Sequence, residues 1–190
     1  MRENNGDRTP FIRTARRHGE YTDSMNIYEY DRAAAAAYAR KWAYGRNPAY
    51  YDFNDIGGDC TNFASQCVYA GCGVMNYTPV FGWFYISTNN RTPSWTGVEF
   101  LYKFLTGNEG IGPFAEIIDP LDAQVGDIIQ LGDRAGKFFH SPVVVDAPRG
   151  GARRLSQILI AAHTYDALDK PISSYNAYKL RALHIKGYRK

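Results

Sequence analysis

The sequence predicts an α+β domain whose N-terminal helices pack on a C-terminal antiparallel sheet. Three observations carry this expectation. Helical apolar spacing fills the first half of the chain, and short β-branched runs between Asp, Gly and Pro fill the second. The two kinds of segment come in blocks rather than alternating, which excludes a βαβ succession. The 190 residues, 45% hydrophobic and 22% charged, suit one domain with a core of its own.

In chain order, residues 1–26 are polar and basic, with Arg13, Arg16, Arg17 and His18 close together, and read as a loosely held arm. The domain proper is expected over 27–190. A first helix is predicted near 28–44: Asp31 suits its start, Ala33 to Ala37 propagate it, and Gly45 with Asn47-Pro48 stops it. Gly57-Gly58 then makes a turn, and Asp59 to Ala70 carries a second helical pattern ended by Gly71. Thr92 or Ser94 caps a third helix in which Val98, Leu101, Tyr102 and Leu105 share a face and Gly107 closes. Between the second and third helices, residues 73–93 are too long for a plain connection. Strands are predicted around 115–118, 127–131, 142–146, 157–164 and 178–188.

Composition excludes several function classes. The net charge of +3 from 22 basic and 19 acidic residues gives no polyanion-binding surface by default, so no nucleic-acid partner is expected. No apolar run approaches ~18 residues, so no membrane span is expected. Met1 to Asp7 lacks the apolar stretch of a signal peptide. Cys60, Cys67 and Cys72 are odd in number and lack a close pair, and His18, His140, His163 and His184 form no ligand motif. Neither a disulfide framework nor a metal is expected, and no cofactor. The 15 Tyr, 10 Phe and 3 Trp suit a packed core or an aromatic-lined groove. Trp83, Phe84, Tyr85 and Trp95 are the groove candidates, with satellite core as the other reading.

Cys60 follows the glycine turn at the start of the second helix. Unsatisfied N–H groups and the positive end of the helix dipole favour a thiolate there and can receive an oxyanion. Cys67, nearly two turns on, reads as core. A thiol nucleophile needs a base, and His140 and His163 stand at the ends of candidate strands that can share one sheet edge. The arrangement then has Cys60 as nucleophile, His140 as base and His163 as its orienter, with Asp166 as the rival orienter. An inert buried cysteine and two plainly hydrogen-bonded histidines remain the alternative reading of the same spacing.

Residues 30–72, YDRAAAAAYARKWAYGRNPAYYDFNDIGGDCTNFASQCVYAGC, closely resemble the amidase-domain family of bacterial papain-like cysteine hydrolases. SWTGVEFLYKFL, VGDIIQL, HSPVVV and AAHTYDALDKPISSY follow in the expected order, so the resemblance covers about residues 27–188. The wider group includes the NlpC-type and CHAP cell-wall peptidases. The resemblance implies a papain-like fold, Cys60 as nucleophile, His140 as general base and His163 as orienter. Asp59 and Asn62 match the hallmark GGDCTNFASQ, and would support the oxyanion site or hold the helix start. It also implies an exported location for many relatives and a peptide or peptidoglycan-like substrate. Pro142, two residues after His140, departs from a regular strand and marks an edge or a bulge.

The sequence therefore supports a thiol-dependent amidase that needs no cofactor. Transfer to an amine acceptor and a binding module without turnover are the competing readings. The intact Cys60, His140 and His163 set weighs against the latter.

Overall fold

A computed structural model describes residues 25–190, so nearly all of the arm expected over 1–26 lies outside the described residues. Strand β1 (Ile27–Tyr28) leads into helix α1 (Arg32–Trp42). The Asp31 carboxylate accepts from the Ala34 N–H at 2.8 Å and caps that helix. Ala35 and Ala39 are wholly buried, and their small side chains let α1 lie close to helix α2 (Cys60–Cys72). Helix α2 runs past Gly71, where the sequence suggests a stop. Gly71 instead makes room, because a Cβ there would collide with the Tyr30 ring. Gly73, at φ 65°, is the residue that ends the helix, its N–H donating to Tyr69 O at 2.7 Å.

The segment 73–93 is ordered. Asn76 and Trp83 exchange backbone hydrogen bonds of 2.9 and 2.8 Å, and β2 (Tyr85–Ser87) pairs with β3 (Asn90–Arg91). The third helix is divided: α3 (Pro93–Thr96) and α4 (Val98–Gly107) meet at Gly97, whose backbone is extended at φ −113°, ψ 128°. No helix among the described residues is long and apolar enough to cross a membrane.

The remaining strands are β4 (Gly112–Ile118), β5 (Ile128–Gly132), β6 (Phe138–His140), β7 (Val143–Asp146), β8 (Leu159–Ala162), β9 (Ala167–Pro171) and β10 (Lys179–Arg189). All pair antiparallel in one curled sheet of order β1-β10-β5-β7-β8-β9. Strand β4 adds to β10 and β6 to β5. Ala182 of β10 pairs with Ile118 on one side and Ile129 on the other, so β10 is an inner strand with partners on both edges. The α+β expectation holds.

Strand alternation builds two cores. Ile128, Val143, Val145, Ala161, Leu183 and Ile185 face the helices. Ile129, Leu131, Val144, Ile160, Ala162 and Ala182 face the other way, under Ile158, Ala167 and Ile172. Ser141-Pro142 interrupts what would be one strand into β6 and β7, since Pro142 has no N–H to give the ladder. The first turn of α2 comes up against this break.

Candidate active site

The start of α2 is held from several sides. Gly57 and Gly58 take φ of 91° and 103°, which only glycine adopts freely. A Cβ on Gly58 would press to 3.1 Å from Thr164 Oγ1, the atom that accepts the Asp59 N–H at 2.6 Å. The buried Asp59 carboxylate accepts from Phe53 N–H at 2.9 Å and from Asn62 Nδ2 at 2.8 Å. Its second oxygen meets His163 Nδ1 at 2.6 Å. His163 Nε2 donates to Trp42 O at 2.8 Å, because a carbonyl can only accept. The imidazole also stacks on Phe63 of α2, centroids 3.9 Å apart. Asn62 is equally engaged: Nδ2 also donates to Tyr51 O at 3.0 Å, and Oδ1 accepts from Trp95 Nε1 at 2.9 Å. Asp59, Asn62 and His163 thus form a saturated polar bracket under the helix start.

Cys60 opens the helix just above this bracket and is 7% exposed. The Thr61 hydroxyl lies 3.8 Å from its sulfur, and the Ser141 and Thr61 backbone N–H groups also face the sulfur. Burial pushes the thiol pKa up and outweighs these donors. The helix terminus alone suggests a favoured thiolate; the desolvated site holds a protonated thiol. Thr61 Oγ1 is 3.3 Å from Ser141 Oγ, which accepts from Gln130 Nε2 at 3.2 Å, so the β6–β7 break is tied to the helix start.

His140 ends β6 and is buried. It pairs in register with Leu131, and its ring lies 5.6 Å from that of Tyr175, at 46°. Burial, then the nearby Lys170 ammonium, lowers its pKa to about 4. Its Nε2 is buried without a hydrogen-bond partner among the described residues, and so is the Tyr175 hydroxyl. Burial first, and then the Cys60 thiol, raises the Tyr175 pKa.

The other sequence-derived candidates lie elsewhere. Among the described residues, no hydrogen bond joins His163 to His140; both nitrogens of His163 are taken by Asp59 and Trp42. Asp166 pairs with Arg46 at 2.9 Å near the surface. Trp83 and Trp95 are completely buried, 4.7 Å apart, with Trp83 Nε1 donating to Ser65 Oγ at 3.0 Å. They pack behind α2 rather than on the wall of a groove. An apolar cleft of about 440 Å³ beside Val80, Phe81, Phe100 and Phe104 includes neither Cys60 nor His140. Ser141 and Tyr175 are the site residues that spacing missed. Ser141 directly follows the candidate base, and Tyr175 is the last residue of the AAHTYDALDKPISSY string.

Comparison with known proteins adds to this geometry. Over 145 residues the chain is 32% identical to the uncharacterized protein YhbB of Bacillus subtilis; the match takes in 74% of the chain and 43% of YhbB. The chain thus spans less than half the length of that relative. No solved structure matches it. The family model described as "Putative amidase domain" matches residues 29–186, from before α1 into β10. That stretch contains the α2 start and both buried histidines, so it is on the site-bearing fold as a whole that the chain belongs to the amidase-domain family.

Proposed function

We propose that this domain hydrolyses an amide bond through a thioester acyl-enzyme on Cys60, with His140 as general base and a peptide or peptidoglycan-like substrate. Membership of an amidase family supports amide cleavage at the coarse level. The thiol mechanism rests on one observation. Cys60 stands at a helix start with the Ser141 and Thr61 N–H groups facing its sulfur, and Ser141, 3.3 Å from the Thr61 hydroxyl, directly follows the desolvated His140. The kinship with papain-like NlpC and CHAP peptidases belongs to the same proposal.

The resting pair is neutral on both sides, since the thiol pKa is raised and that of His140 lowered to about 4. Attack is then general-base catalysed. The Cys60 sulfur bonds to the acyl carbon as His140 takes its proton, and the carbonyl electron pair moves onto oxygen. Collapse re-forms the carbonyl and breaks the C–N bond, and the imidazolium returns the proton to the leaving amine. A water, deprotonated by His140, then attacks the thioester; the thiol leaves and the acid is released. His163 acts at one remove. Through Asp59 it fixes the turn that presents Cys60, with Asn62 as the third member of the bracket. It is a positioning residue in this scheme.

Digestion of purified peptidoglycan, followed by muropeptide chromatography, tests the reading. Stem-peptide fragments released by the wild type and not by Cys60→Ala are the expected result. An unchanged profile with a folded protein removes the cell wall as substrate, and a Cys60→Ala variant that still cleaves removes the nucleophile.

A further inference from the structure

Tyr175 is the least explained polar group beside His140. It follows the Ile172–Ser174 turn after β9, its N–H donating to Ile172 O at 3.2 Å. Its ring packs against the second core, tilts on the His140 ring and carries the Lys170 ammonium 4.1 Å above its centroid. These contacts fix the ring from three directions and leave the hydroxyl out of all of them. That hydroxyl is nevertheless buried and without a partner among the described residues, as is Nε2 of His140, which is itself 95% buried.

A buried hydroxyl without a partner is destabilising, and two such atoms on neighbouring rings mark a place where another molecule's polar atoms complete the site. The phenol stays protonated near neutral pH, because burial and the Cys60 thiol both disfavour the phenolate. It therefore offers a hydrogen rather than a charge. The Thr61 and Ser141 amides face the sulfur, Thr61 Oγ1 lies 3.3 Å from Ser141 Oγ, and His140, the residue before Ser141, carries the phenol against its ring. The phenol thus stands on the side of the site that the base occupies.

We infer that Tyr175 is a further catalytic residue, whose hydroxyl donates a hydrogen bond to the acyl oxygen as it becomes an oxyanion during attack by Cys60. The inference rests on Cys60 being the nucleophile. It also gives the Lys170 contact a purpose. A cation over the ring makes the phenol a stronger donor and holds the ring in place.

The test separates attack that builds an oxyanion from attack that does not. Iodoacetamide is displaced at an sp³ carbon and develops no carbonyl oxyanion. p-Nitrophenyl acetate acylates the thiol through a tetrahedral oxyanion: the S–C bond forms, p-nitrophenolate leaves, and the thiol proton passes to His140. Tyr175→Phe keeps the ring, and with it the contacts to His140 and Lys170. The expected result is an acylation burst slowed about 100-fold, the scale set by loss of one oxyanion donor, with the rate of iodoacetamide labelling at Cys60 unchanged. A normal burst in Tyr175→Phe overturns the role. Equal slowing of both reactions also overturns it, since the hydroxyl then acts on the thiol or the fold. Cys60→Ala is the control. A burst that survives there overturns the nucleophile, whereas a burst lost there but normal in Tyr175→Phe overturns only the tyrosine.

Discussion

Two buried histidines flank the start of α2, and they differ in every bond they make. His163 faces the helices, stacked on Phe63, with Nδ1 on Asp59 at 2.6 Å and Nε2 on Trp42 O at 2.8 Å. His140 faces the second core against Tyr175, and its Nε2 has no partner among the described residues. One ring is a closed joint between the end of α1, the glycine turn and β8. The other is buried with proton-accepting capacity left over. Saturation marks a residue whose work is done once the chain folds, and an open valence marks one with work left to do on another molecule. Chemistry and stability should therefore separate cleanly between the two.

The largest expected effect is on catalysis at the open site. His140→Gln retains bulk and a polar end but removes the proton acceptor. Its kcat/KM on any cleaved amide should fall about 1,000-fold, within the range of general-base contributions. Its midpoint of urea unfolding should hold or rise, because a desolvated, partnerless nitrogen stabilises nothing. Urea titration with parallel initial rates checks both halves. Loss of stability with retained activity would invert the assignment of the two histidines.

The next effect is on folding at the closed site. His163→Ala leaves the Asp59 carboxylate buried without its imidazole, and removing one member of a buried pair costs about 3–5 kcal/mol. The free energy of unfolding should drop by that amount. In the folded fraction, kcat should fall far less than in His140→Gln, since Phe53, Asn62 and Thr164 still hold Asp59. Asp59→Asn combined with His163→Gln should recover part of the stability, because neutral partners of similar shape remove the stranded charge. A His163→Ala protein of unchanged stability and abolished turnover would return His163 to a direct part in the reaction.

Much of this contrast lies beyond what spacing can carry. The Cys60 position was legible, because a glycine turn before a helical run has one physical meaning. So were the helices-then-strands order and the irregularity at Pro142. The facing of the histidines was not. Both stand at strand ends, and only the folded chain shows that one ring stacks on Phe63 of α2 and the other packs against Tyr175. Trp83 and Trp95 illustrate the same limit: aromatic content does not say which rings a fold buries. Strand β9, ALDKP, carries little β-branched character and is made by its pairing with β8. The thiol's ionisation also depended on packing, since a helix terminus favours thiolate only where water or a cation helps it.

The smallest effect is a pH dependence that belongs to His140 alone. Its folded pKa of about 4 lies below the ordinary value of about 6.5. Between those values the unfolded chain binds the proton and the folded one does not, so stability rises with pH across that window. The contribution is fully present above about pH 6.5 and is lost as pH falls toward 4, on the order of 2–3 kcal/mol at pH 4.5. His140→Gln lacks this ionisation and changes no other charged side chain, so the difference between the two proteins isolates the ring. Urea unfolding at pH 7 and pH 4.5 should show the wild type losing roughly 2–3 kcal/mol more than the variant over that interval. The same protonation removes the base, so kcat/KM should hold down to the low fives and fall only near pH 4, where an ordinary histidine would have failed above pH 6. Equal pH slopes for the two proteins, or an acid limb near 6.5, would show that the His140 pocket admits water, and that its open valence is a solvated one.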